Sequence, residues 1–153
     1  MEVRVATIND VEQLCTLLTE FFAYNAKLQP MYCNAAIEDG KYPTSIIESD
    51  DSDFIVAISG GKQIGFIHIT KMETPPYSSI VPHNYAEIIA FMVTASFREQ
   101  GVGSMLLDFA KQWSKDQNLK YIELVSLINA TEANLFYDKN NFSTMSQVKR
   151  LVL

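Results

Sequence analysis

Two glycines, Gly101 and Gly103, follow the apolar run Glu87-Ile88-Ile89-Ala90-Phe91-Met92-Val93 and stand at the head of a segment with helical apolar spacing. Strand, turn and helix start in that order can hold an anion. The first backbone N–H groups of a helix lack partners, the positive end of its dipole points at them, and glycine lets a phosphate come close to the main chain. A pyrophosphate would fit such a turn, though two glycines at this spacing by themselves read equally as residues that only turn the chain. It is not a P-loop, which needs Gly-Lys-Ser or Gly-Lys-Thr. Nor is it a dinucleotide fingerprint, because Leu106 stands where that motif has its third glycine. His68 and His83 have no carboxylate or cysteine at metal-ligand spacing, so no metal site is expected. Cys15 falls on an apolar stripe, and Cys33 carries no signature of a nucleophile.

The elements that must position this turn can be read from periodicity. Val3 and Val5 alternate with Arg4 and Ala6 as in a half-buried strand, and Asn9-Asp10 offers a helix cap. Val11, Leu14, Cys15, Leu18, Phe21 and Phe22 then predict an amphipathic helix ending near Asn25. From Lys27 to Asp53, Pro30, Gly40 and Pro43 interrupt the pattern, leaving a flap with a short helix after Pro43. Phe54 to Ile58 and Ile64 to Thr70 form a hairpin about Gly60-Gly61. The run from Tyr85 to Val93 reads as a central strand buried on both faces. A helix carrying Val102, Met105, Leu106, Phe109 and Trp113, a strand from Tyr121 to Leu127, a helix from Thr131 to Lys139 and a terminal strand from Gln147 to Leu153 complete the series. Trp113 reads as core packing.

Composition narrows the function. The 153 residues suit one domain, and 48% apolar with 20% charged residues is a globular balance. With 12 basic against 18 acidic residues, net charge −6, the chain has no footprint for nucleic acid or an anionic membrane and suits a cationic substrate better. Its apolar runs fall short of a membrane span, and Met1-Glu2-Val3-Arg4 opens no signal peptide, so the expectation is a cytoplasmic protein with reduced thiols.

Arg98-x-x-Gly101-x-Gly103 after an apolar strand resembles the acyl-CoA pyrophosphate loop of the GNAT N-acetyltransferase superfamily. Ala133-Asn134-Leu135-Phe136-Tyr137-Asp138-Lys139-Asn140-Asn141-Phe142 is similar to that superfamily's A-x-x-F-Y-x-x-x-G-F segment, in the expected place after the next strand. Asn141 replaces the usual glycine, and asparagine tolerates the left-handed conformation a turn there requires. Glu99 stands where a small or neutral residue is common and is expected to face solvent.

The resemblance implies one α/β (α+β) domain over residues 1–153, a mixed, splayed β-sheet flanked by helices, the splay made by a bulge in the strand Tyr85 to Val93 that opens a V toward the strand Tyr121 to Leu127, where the acetyl group would lie. It implies acetyl-CoA as acetyl donor, held by Phe91, Met92, Val93, Arg98, Glu99, Gln100, Gly101, Val102, Gly103, Ser104, Asn134 and Tyr137. The amides of Gln100 to Ser104 would take the pyrophosphate, and Phe91 to Val93 would pair with the pantetheine arm and polarise the thioester carbonyl. Tyr137 would protonate the departing thiolate, though by itself it also reads as a core tyrosine. Glu87 would serve as base toward a primary amine, though by itself it reads equally as a solvated strand-end charge. The acceptor, a small amine, an aminoglycoside or polyamine, or a peptide amine, would lie between Phe22 to Tyr42 and Glu73 to Asn84, where Tyr24, Tyr32, Glu38, Asp39, Tyr42 and Tyr77 could form an acidic, aromatic pocket. The rival class is an acyl-CoA-binding sensor without catalysis. Homodimers are common in that superfamily.

Overall fold

A computed structural model describes all residues, 1–153. Five strands, β1 (Glu2–Val5), β2 (Ser52–Ser59), β3 (Lys62–Glu73), β4 (Asn84–Val93) and β5 (Ile122–Leu124), form one sheet in the order β1-β2-β3-β4-β5. The first three pairings are antiparallel, and β4 and β5 run parallel because α3 (Val102–Asp116) carries the chain back between them. α1 (Val11–Leu28) and α2 (Lys41–Ile47) cover the opposite face, and α4 (Thr131–Lys139) follows β5. No helix is long and apolar enough to cross a membrane.

Each face has its own core. Under α3 lie Ile55, Ile67, Ile69, Ala86, Ile88, Val102, Leu106, Leu107 and Trp113, whose indole N–H donates to Asp53 Oδ2 at 2.7 Å. Under α1 lie Leu14, Leu17, Leu18, Phe54, Val56, Phe66, Ala90 and Met92. The apolar stripes of α1 and α3 are the faces they bury, which is why these two elements were legible from spacing.

The central strand is β3, buried at every residue from Gln63 to Ile69; β4 lies one place further out, a correction to the expected order. The unbroken apolar run of β4 has a specific cause. His68 pairs with Ala90 but Ile69 pairs with Ile88, so Ile89 is an extra residue, a bulge, and its side chain stands 47% exposed. Before it, Ala86 and Ile88 face α3; after it, Ala90 and Met92 face α1. One inserted residue has reversed the alternation and made both halves of the strand apolar on different faces.

Several boundaries differ from expectation: the short helix of the flap begins at Lys41, ahead of Pro43, and both hairpin strands are longer than expected. α1 runs on to Leu28, where Asn129 Nδ2 donates to the Leu28 carbonyl at 2.9 Å and satisfies a helix-end acceptor from a distant loop. β5 is three residues, not Tyr121 to Leu127, because the chain leaves β4 after Leu124. Gln147 to Leu153 forms no strand: a strand needs a ladder, no neighbour pairs with this stretch, and Val148, Leu151, Val152 and Leu153 stand 73–112% exposed. α4 ends as expected, with Asn141 left-handed at φ 64° and the Phe142 N–H donating to the Tyr137 carbonyl at 3.1 Å.

Candidate active site

The turn between β4 and α3 leaves a run of main-chain donors unpaired. Glu99 and Gly101 are left-handed, at φ 59° and 82°, which turns successive amides toward one side. None of the backbone N–H groups from Glu99 to Ser104 has an acceptor within the chain, and they meet the positive end of α3. Glu99 is exposed, as expected. Arg98 secures the turn: its Nε donates to the Val93 carbonyl at 3.1 Å and its guanidinium meets Glu132 of α4 at 3.3 Å. The glycines differ in kind. Gly101 has nothing within 4 Å of a would-be Cβ and is required by its φ, whereas a Cβ at Gly103 would lie 3.1 Å from the Phe136 ring.

From this turn an open strand edge leads inward. β5 pairs with β4 only at Ala86, Glu87 and Ile88, so from Ile89 to Val93 the outer edge of β4 has no strand partner. Between the diverging strands lies a cavity of about 240 Å³, walled by Ile88 to Phe91 on one side and Leu124 to Leu127 on the other. Phe21, Tyr24, Asn25 and Leu28 of α1 close one face, and Ala130, Ala133 and Tyr137 the other. An extended arm reaching along β4 from the turn would present its end in this largely apolar space.

Tyr137 faces that cavity with Phe91, Phe136 and Phe142 around its ring, at centroid distances of 6.4, 5.8 and 5.5 Å. Burial, with a smaller contribution from Tyr24, pushes its phenol up to about 12, so it is a protonated donor throughout the neutral range. Asn134 is turned to the β5–α4 loop. Its Oδ1 accepts from Ser126 Oγ at 2.6 Å and its Nδ2 donates to the Leu127 carbonyl at 3.0 Å, fixing one cavity wall.

Glu87 stands one residue before the cavity, half-buried, directly opposite Glu123 of β5 and Thr70 of β3. Neither carboxylate forms an ion pair. Beside them Tyr85 stacks on Tyr121 at 5.1 Å, and burial followed by the charges of Glu123 and Glu87 raises the Tyr85 phenol. His83 Nε2 lies 2.8 Å from the Tyr121 hydroxyl.

An acetyltransferase (GNAT) family model matches residues 11–142. The chain belongs to the GNAT acetyltransferase family. A curated relative, the uncharacterized N-acetyltransferase YhdJ of Bacillus subtilis, is 34% identical over 76 residues, 49% of this chain and 54% of that protein. The chain spans about half the length of the curated relatives it matches. Among solved structures, a tetramutant of the BH1408 protein of Bacillus halodurans superposes with a TM-score of 0.94 at 18% identity over 100% of both chains. An aminoglycoside N-acetyltransferase in complex with CoA gives 0.74 at 17% identity, covering 99% of this chain and 93% of that one. These establish the mixed, splayed GNAT sheet as the fold.

Within the GNAT frame, Phe91, the 98–104 turn and Tyr137 lie along one path, with Met92 and Val93 on the open edge and Asn134 beside the wall. The expected acceptor pocket is not assembled. Glu38 Oε1 and Asp39 Oδ1 accept the N–H groups of Gly40 and Lys41 at 3.0 and 3.1 Å, so both carboxylates are spent starting α2. Tyr42 donates toward or accepts from His68 Nδ1 at 2.5 Å inside the core, Tyr32 lies under Arg150, and Tyr77 is 65% exposed. Of the group only Tyr24 lines the cavity. Cys33 lies on its wall too. A bulge in the strand from Tyr85 to Val93 is what the resemblance implies, and the structure puts it at Ile89; its exact place and the pairing of Glu87 with Glu123 depend on strand register.

Proposed function

We propose that the protein is an acetyl-CoA-dependent N-acetyltransferase that moves acetyl directly to a cationic primary amine. The observation that carries this reading is the continuous path from the acceptor-free amides of Glu99 to Ser104, along the open edge of β4, to a cavity walled by Tyr137. Residues Gln100 to Ser104 hold the pyrophosphate, the β4 edge at Phe91 to Val93 binds the pantetheine arm, and an edge N–H polarises the thioester carbonyl. The CoA complex of the aminoglycoside N-acetyltransferase with the same fold supports the choice of donor.

The amine must lose a proton before it attacks, and Glu87 is the base at the cavity mouth. As the C–N bond forms and the C–S bond breaks, the departing sulfur meets the Tyr137 hydroxyl. A phenol near 12 is a weaker acid than a thiol, so it stabilises the sulfur as a neutral donor and gives up its proton only as negative charge accumulates in the same dry surroundings. Glu87 and Glu123 stand opposite each other in the β4–β5 ladder with no cation beside either, and an ammonium group lodged between them would find two carboxylates to pair with. This is the support for a cationic acceptor.

Calorimetric titration with acetyl-CoA and CoA tests the reading, with Gly101→Val as control and an amine panel to follow. Binding lost in the control, with thiol release dependent on an amine, supports it. Binding without turnover on any amine favours an acyl-CoA sensor, and no binding by folded protein removes both.

A further inference from the structure

We propose that the missing side chain of Gly103 serves to position Tyr137, acting through the ring of Phe136, while its main-chain amide stays in the phosphate cradle; the inference rests on the role given to Tyr137 above. A Cβ at position 103 would lie 3.1 Å from Phe136 Cε2 and 3.3 Å from Cζ, so the ring occupies the volume of the missing side chain. At Gly101 nothing lies within 4 Å, and there the backbone dihedral makes the demand. Phe136 is wedged by this fit between the first turn of α3 and the open edge of β4, where it packs edge-on against Phe91 at 5.4 Å and 81°. The next residue in the chain is Tyr137, whose ring lies 5.8 Å from that of Phe136 and 6.4 Å from that of Phe91.

The surroundings of α4 make this contact decisive. None of its nine residues is fully buried, and besides the Phe136 ring its ties are the packing of Tyr137 on Phe142, the Asn134 bonds to the loop before it and the exposed pair of Arg98 with Glu132. A short helix without a buried residue of its own takes its seat from the few rings that dock it. A methyl at position 103 displaces the Phe136 ring by a few tenths of an ångström or more, and the displacement passes to the adjacent phenol. Catalytic geometry is intolerant of such shifts, whereas the amides that bind the anion are main-chain groups that the substitution leaves in place.

The test is a size-exchange cycle. Gly103→Ala is expected to lower kcat, read as thiol release from acetyl-CoA with the best amine of the panel, by about tenfold or more, while the calorimetric Kd for CoA stays within about twofold. Phe136→Leu alone is expected to lower kcat too, and Gly103→Ala with Phe136→Leu to regain most of it, because the smaller side chain makes room for the methyl. Fluorotyrosine placed at position 137 supplies a readout independent of turnover: its 19F resonance should move in Gly103→Ala and return in the double variant. The inference is overturned if Gly103→Ala weakens CoA binding as much as it lowers kcat, if kcat is unchanged, or if the double variant gains nothing over either single. Should the wild-type chain bind no CoA and release no thiol, the acetyltransferase reading falls. The 19F cycle would still decide whether Gly103 and Phe136 place Tyr137.

Discussion

The hydroxyl of Tyr137 keeps its proton up to about pH 12 because its half-buried ring is packed among aromatic neighbours. Tyr137→Phe removes the hydroxyl and little else, so kcat should fall about a hundredfold while CoA affinity stays unchanged, measured by steady-state thiol release and calorimetry. The raised phenol adds a pH signature. No loss of activity from Tyr137 deprotonation should occur below about pH 11, one unit under the folded value, and a falling limb near pH 9 that Tyr137→Phe abolished would contradict the burial argument. Glu87 and Glu123 separate differently. Glu123→Gln should raise the acceptor KM by about tenfold with kcat held, since it touches only charge recognition, whereas Glu87→Gln should lower kcat as well. Equal effects from the two would remove Glu87 from the role of base.

The bulge in β4 is the element that makes the site. It turns Ala90 and Met92 to α1 while leaving Phe91 toward α4, and the strands part just beyond it. Close contact of β3 with β4 holds this geometry. A Cβ on Gly65 would meet the Met92 carbonyl oxygen at 2.8 Å, and that oxygen is backbone with nowhere to move. Gly65→Ala should therefore destabilise the fold by about 2 kcal/mol in chemical denaturation and weaken CoA binding as well, because the pushed strand is the one whose edge is proposed to bind the pantetheine arm. At the turn, Gly101→Val places a β-branched residue at φ 82° and should abolish CoA binding with a much smaller loss of stability.

Across the whole molecule the two buried polar clusters set the response to acid. His68, 4% exposed and bonded to Tyr42 and Thr70, is held neutral by burial down to about pH 4. An unfolded histidine titrates near 6.5, so between these values the unfolded chain binds a proton the folded one refuses. Stability should fall through that window by about 3 kcal/mol. Asp10 works in a lower range. The Arg4 guanidinium, at 2.7 Å, holds its carboxyl near 2 against an ordinary 3.8, a contribution of about 2 kcal/mol that is complete above that range and lost as pH falls through it. Denaturant midpoints at pH 7, 5 and 4 should drop steadily for the wild type and less steeply for His68→Gln. What the sequence by itself determined lies within short spans: the stripes of α1 and α3, the hairpin at Gly60-Gly61, the glycine turn that opens α3 and the left-handed stop at Asn141. Each rests on local sterics or on a period that one segment carries alone. Only the tertiary structure decided that the bulge falls at Ile89, that Glu87 opposes Glu123, and that the last residues find no strand partner. Those are matters of pairing between segments tens of residues apart, and which partner a strand edge or a carboxylate meets is fixed by register and packing, which no single segment encodes.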